Sequence, residues 1–168
     1  MKRILFVAAA AVMVFSTGCA SHPVAVAAVG PNPAVTGGDT AAMGQLEVIS
    51  PLQGRTEGDN PVWYQHADYL VCNAAGRKLF RVDNAAGHYE RAPRVLALRA
   101  GRYLVRARAK GYLLVQVPVV VEPGRITRVH LDGSWKAPSP SKGTKLVSLP
   151  DGYAVGWSAT AGANARTN

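Results

Sequence analysis

Residues 101–133, GRYLVRARAKGYLLVQVPVVVEPGRITRVHLDG, constrain the fold more than any other stretch of this chain. Tyr103, Val105, Ala107 and Ala109 alternate with Arg102, Leu104, Arg106, Arg108 and Lys110. A strand sends successive side chains to opposite faces, so this pattern gives one apolar face and one basic face. Leu113, Val115, Val117, Val119 and Val121 form a second inward-facing set, and Thr127, Val129 and Leu131 a third. Lys110-Gly111 and Glu122-Pro123-Gly124 supply the turns between them. Pro118 donates no ladder hydrogen bond, which predicts an edge position or a bulge there. Further short strands are predicted around Leu46 and Val48, over Tyr69–Asn73, over Lys78–Asn84 and over Val95–Leu98. No segment sustains a helical period. Short strands at roughly ten-residue spacing, with Gly and Pro at the turns, predict an all-β chain folded as an antiparallel β-sandwich of about seven strands. Residues 145–157, KLVSLPDGYAVGW, add a C-terminal hairpin about Pro150-Asp151-Gly152. A lone hairpin is marginal in water, so this one is expected to pack on the sandwich.

The N-terminus reads MKRILFVAAAAVMVFSTGCAS. Lys2 and Arg3 precede an apolar run from Ile4 to Phe15, which suits a signal segment and is short for a membrane span. Ser16-Thr17-Gly18-Cys19 resembles a bacterial lipobox, with Ser in place of the usual Leu. The resemblance implies cleavage before Cys19, a diacylglycerol thioether on its sulfur and acylation of the new amino group. Several acyl chains hold a protein stably where one holds it marginally. Ala20 rather than Asp follows Cys19, a pattern associated with export to the outer membrane in such lipoproteins.

The expected organisation is a signal peptide over 1–18, a lipidated Cys19 and flexible tether over 19–43, a β-sandwich over 44–133, a linker and hairpin over 134–157, and a disordered tail over 158–168. Residues 20–43 are rich in Ala, Pro, Gly and Val and show no period. As free coil they would span roughly 25–30 Å. Losing Lys2 and Arg3 leaves 17 Lys and Arg against 10 Asp and Glu, a formal charge of +7. That excess favours anionic surroundings. An exported address makes nucleic acid an unsuitable partner and leaves the membrane, an anionic glycan or an envelope protein. Only Cys72 remains once Cys19 is a thioether, and its apolar run predicts a buried thiol.

Arg99-Ala100-Gly101-Arg102-Tyr103-Leu104-Val105, Lys110-Gly111-Tyr112, Val119-Val120-Val121-Glu122-Pro123-Gly124 and Thr127–Leu131 together resemble carboxypeptidase regulatory-like domains and their PEGA relatives. The likeness covers about 40 residues, 91–133, and the Pro-Glu-Gly-Ala signature itself is absent. It implies a transthyretin-like or immunoglobulin-like sandwich and a non-catalytic role as spacer, adhesion module or folding partner. Fold analogy alone does not fix function.

Sequence patterns that carry chemistry are sparse. His22, His66, His88 and His130 show no metal-binding spacing, and His66 with Asp68 lacks a third ligand. Neither a nucleophile elbow nor a phosphate loop occurs. The chain is therefore read as neither an enzyme nor a cofactor carrier. The remaining candidate is the basic row Arg102, Arg106, Arg108 and Lys110, as a face for an anionic ligand. The competing expectation is a solvated strand face that keeps the sheet soluble.

Overall fold

The computed structural model describes residues 23–33, 42–56, 58, 63–87, 91–140 and 142–159. The strands in chain order are β1 (Val24–Ala25), β2 (Val29–Gly30), β3 (Met43–Ile49), β4 (Leu52–Arg55), β5 (Trp63–His66), β6 (Tyr69–Asn73) and β7 (Lys78–Val82). They continue as β8 (Val95–Arg99), β9 (Gly101–Ala109), β10 (Tyr112–Val121), β11 (Ile126–His130), β12 (Leu146–Ser148) and β13 (Ala154–Ser158). The described residues are all-β and the sheets pack as a sandwich. The larger sheet runs β12-β13-β2-β10-β9-β6-β7, with β1 also paired to β10; the smaller runs β11-β3-β8, and β4-β5 form a separate ribbon.

The alternations read from sequence place the core. Val105, Val115, Val117, Val119 and Val121 of the larger sheet meet Leu46, Val48, Leu98 and Val129 of the smaller one in a single apolar cluster. Fully burying a valine is worth roughly 1.5–3 kcal/mol, so this valine layer carries much of the stability. Tyr69 and Val71 enter from β6, and Cys72 beside them is a buried free thiol.

The expected all-β sandwich is present, but it differs in two details from about seven antiparallel strands plus a C-terminal hairpin. The described residues hold thirteen strands, and three pairings are parallel: β11 with β3, and β1 and β2 with β10. Both follow from where β10 sends the chain. At Glu122–Arg125 it crosses to the smaller sheet, which would leave one edge of a ten-residue, valine-rich strand open. An open edge is a row of unpaired backbone groups. The N-terminal segment fills it, with Val24 opposite Val115 and Val29 opposite Val119.

The tether expected over 19–43 is therefore wrong for residues 23–33. Val29 is fully buried, and the Arg125 guanidinium donates to the Asn32 carbonyl. The hairpin β12–β13 joins the same sheet through β2, with Trp157 opposite Gly30, so it shares the core through Val147, Leu149 and Val155. Ser158, expected to start the tail, closes β13. The signal peptide, Cys19 and residues 160–168 lie outside the described residues.

Pro118 is neither at an edge nor bulged: β10 is central and its register with β9 runs unbroken from Val115 to Val121. The Gln116 carbonyl accepts from the Val26 amide, so even-numbered backbone groups of β10 point toward the N-terminal segment. The Pro118 nitrogen therefore faces that side, at the interruption between β1 and β2. The missing donor is accommodated by splitting the neighbouring strand.

Candidate functional site

Strand β9 carries the basic row as expected. Arg102, Arg108 and Lys110 are exposed and Arg106 is half-buried, while Val105, Ala107 and Ala109 are buried. Gly111, at φ 80°, turns the chain from β9 into β10. The row is long: eight residues at strand rise put Arg102 about 27 Å from Lys110. The four cations do not converge on one small ligand. Arg106 reaches over the β6–β7 turn, where a Cβ on Gly76 would stand 3.3 Å from its Nη2, and its Nε is buried without a partner.

Other arginines are neutralised. Arg55 and Arg81 bind Asp68 at 2.6 and 2.8 Å, Arg125 binds Glu122 at 2.5 Å, and Arg128 binds Glu47 at 2.7 Å. The last two lie beside or on the smaller sheet and do not extend the β9 row. Among the described residues, none of Arg102, Arg106, Arg108 and Lys110 has a carboxylate partner. The Lys110 ammonium instead lies 5.3 Å from the centre of the Tyr153 ring, a cation–π contact.

Arg108 and Lys110 line a groove of about 370 Å³ between the β9–β10 turn and the start of β4, with Pro51, Leu52, Ala67, Tyr112 and Leu113 among its walls. Leu113 was expected to face inward. It is 75% exposed and Leu114 43%, because the β9–β10 register shifts between Tyr112 and Val115 and turns both leucines outward. A shift of this kind re-aims side chains at a strand end. Leu52 is also exposed beside them.

The groove's other wall is held by a buried polar knot that the sequence pattern did not reveal. Asn84 is fully buried; its Nδ2 donates to the Val48 carbonyl at 2.8 Å and to Ser50 Oγ at 3.1 Å. Its Oδ1 accepts from the Arg94 amide at 3.1 Å. Ser50 Oγ donates to the Ala67 carbonyl at 2.6 Å, and the Ala67 amide donates to the Pro51 carbonyl at 2.9 Å. His66 donates Nδ1–H to the Ser50 carbonyl. The His66–Asp68 pair considered for metal binding is thus divided, with His66 in the knot and Asp68 between two arginines. Among the described residues, no group of three His, Cys, Asp or Glu side chains is placed to hold a metal ion.

His130 stacks on Trp135, with ring centres 4.2 Å apart and planes within 9°, and Trp157 meets Trp135 edge-on at 6.5 Å. Burial holds the imidazole below its ordinary pKa, partly offset by Asp132 and Glu47. Tyr69, buried at the start of β6, has its phenol pushed far above the usual range by desolvation, and its hydroxyl has no partner.

Comparison with protein-family models, with curated proteins and with solved structures gave no match.

Proposed function

We propose that this chain is a non-catalytic envelope lipoprotein, a structural or interaction module displayed from the outer membrane by a lipid on Cys19. The observation that carries the reading is the N-terminal segment. Pro23 stands only four residues after Cys19, and the chain enters the larger sheet at Val24. A lipid on Cys19 would therefore hold the sandwich itself close to the leaflet, within about 14 Å of extended chain. The sequence elements that resemble carboxypeptidase regulatory-like and PEGA-like domains support a module of the transthyretin-like or immunoglobulin-like kind. The dispersal of His66 and Asp68 into structural contacts fits a scaffold. Metabolic labelling with a fatty-acid probe tests the anchor: the wild type should be labelled and Cys19→Ala should not. An unlabelled wild type would refute it.

A second reading is favoured by one observation, the absence of carboxylate partners along β9 among the described residues. On this reading Arg102, Arg106, Arg108 and Lys110 bind an anionic envelope ligand such as lipopolysaccharide, phospholipid headgroups or an acidic glycan. Binding should then fall steeply with salt. Arg102→Glu with Arg108→Glu should abolish retention on anionic polysaccharide or vesicles; unchanged retention rules this reading out.

A further inference from the structure

We infer that the β9–β10 hairpin end is the face of the sandwich that contacts the phospholipid leaflet carrying the anchor. Leu113 and Leu114 enter the lipid interface, and Arg108 and Lys110 lie against its phosphates. This rests on the anchored reading above and adds an orientation to it.

Three independent features converge on that end. First, β1 is parallel to β10, with Val24 opposite Val115 and Ala25 opposite Gln116. The chain therefore enters β1 from the end of β10 where Tyr112, Leu113 and Leu114 lie. Cys19 stands four residues before Pro23, so its reach from that end is at most about 14 Å. Even that upper bound is under two Debye lengths at physiological salt, about 8 Å each, so cations at this end would feel an anionic surface. Second, the exposed leucines are there. Leu113 is 75% exposed and Leu114 43%, with Leu52 of the adjoining ribbon 46%. Isolated exposed leucines need no explanation, but a group at one strand end, rimmed by cations, is what an interfacial contact requires. Third, Arg108 and Lys110 border the same groove as Leu52 and Leu113 and carry no carboxylate partner among the described residues. Arg102 sits at the other end of β9, opposite Val120, too far away to share the contact.

The geometry separates this orientation from a diffuse attraction of the whole basic row. Only the cations near the anchor should matter, at about fivefold in membrane residence each, and Arg102 should not.

The test uses the full chain, lipid-anchored, in phosphatidylethanolamine–phosphatidylglycerol vesicles. An environment-sensitive fluorophore is placed at Leu113→Cys or at Pro123→Cys; Cys72 is buried and stays unlabelled. Position 123 is in the exposed turn at the far end of β10. The two positions stand about 30 Å apart along the strand, comparable to the hydrocarbon thickness. Nitroxide-bearing lipid should quench the probe at 113 at least about threefold more than at 123. In the 113-labelled protein, Arg108→Glu with Lys110→Glu should remove most of that difference, and Arg102→Glu should leave it. Equal quenching at the two positions, or stronger quenching at 123, overturns the orientation while leaving a fatty-acid-labelled anchor intact. Absence of fatty acid on wild-type Cys19 overturns both.

Discussion

Replacing Asn84 with Ala should cost about 3 kcal/mol of folding stability, at roughly 1 kcal/mol for each hydrogen bond lost. Three well-formed bonds disappear together: those from Nδ2 to the Val48 carbonyl and to Ser50 Oγ, and the one from the Arg94 amide to Oδ1; a fourth, from Nδ2 to the Ala67 carbonyl at 3.5 Å, is too long to add much. Ser50 keeps its bond to the Ala67 carbonyl, and the bond from the Arg94 amide is only part-buried. Those two circumstances hold the loss below the cost of three stranded buried groups. With a urea slope of about 1.5–2 kcal/mol per M, the midpoint should fall by about 1.5–2 M at unchanged slope. Equilibrium urea unfolding followed by tryptophan fluorescence measures it. Ser50→Ala shares one of the three bonds, so the double mutant should lose less than the sum of the singles by at least about 0.5 kcal/mol. A loss under about 1 kcal/mol, or strict additivity with Ser50→Ala, would refute the view that this knot works as a unit.

Val29→Ala should destabilise by about 2 kcal/mol in the same assay, as a buried core residue does and a tether residue would not. Gly44→Ala should cost more than about 2 kcal/mol or prevent folding, because its Cβ would fall 2.1 Å from the Glu122 carbonyl oxygen and 2.8 Å from Val121 Cγ1. His130, held below its ordinary pKa, is protonated more readily in the unfolded chain. Stability should therefore fall as pH drops below about 6.5 toward the folded pKa. His130→Phe, which keeps a ring against Trp135, should lessen the loss of melting temperature between pH 7.5 and 5. Tyr69→Phe removes a buried hydroxyl without a partner and should leave the urea midpoint unchanged or raise it.

The sandwich was legible wherever one strand has a dry face and a wet face. Leu46 and Val48, Val105 and Ala107, and Val115 to Val121 all stand where period-two alternation puts them. Asn84 was not legible, since its burial depends on the Val48 and Ala67 carbonyls and the Arg94 amide, brought from three separate parts of the chain. No local pattern records such a partnership. The basic row was legible as a row, but its division was not. Whether a cation is free or paired depends on which carboxylate the fold brings to it, as Asp68 is brought to Arg55 and Arg81 across thirteen residues in each direction.

The N-terminal segment shows the same limit from the other side, and it bears on function. Residues 23–33 have no period because they make two strands of only two residues each, too short to alternate. Their place is set by β10, whose far edge needs pairing and whose proline interrupts it. Pro118, read alone, pointed to an edge; read with the Gln116–Val26 bond, it explains a split strand on a central one. Leu113 was misassigned for a related reason. Alternation extended backward from Val115 counts it inward, and only the register shift after Tyr112 reverses it. The leucines stand at the start of β10, the end from which the chain leads back toward Cys19, while Pro118 lies further along the strand, at the gap between β1 and β2. Where a regular strand would have buried Leu113 and left the N-terminal segment free, this sequence exposes the leucines and ties the segment down beside them. On the proposed orientation, that pairing gives a charged strand face, uninformative by itself, a direction.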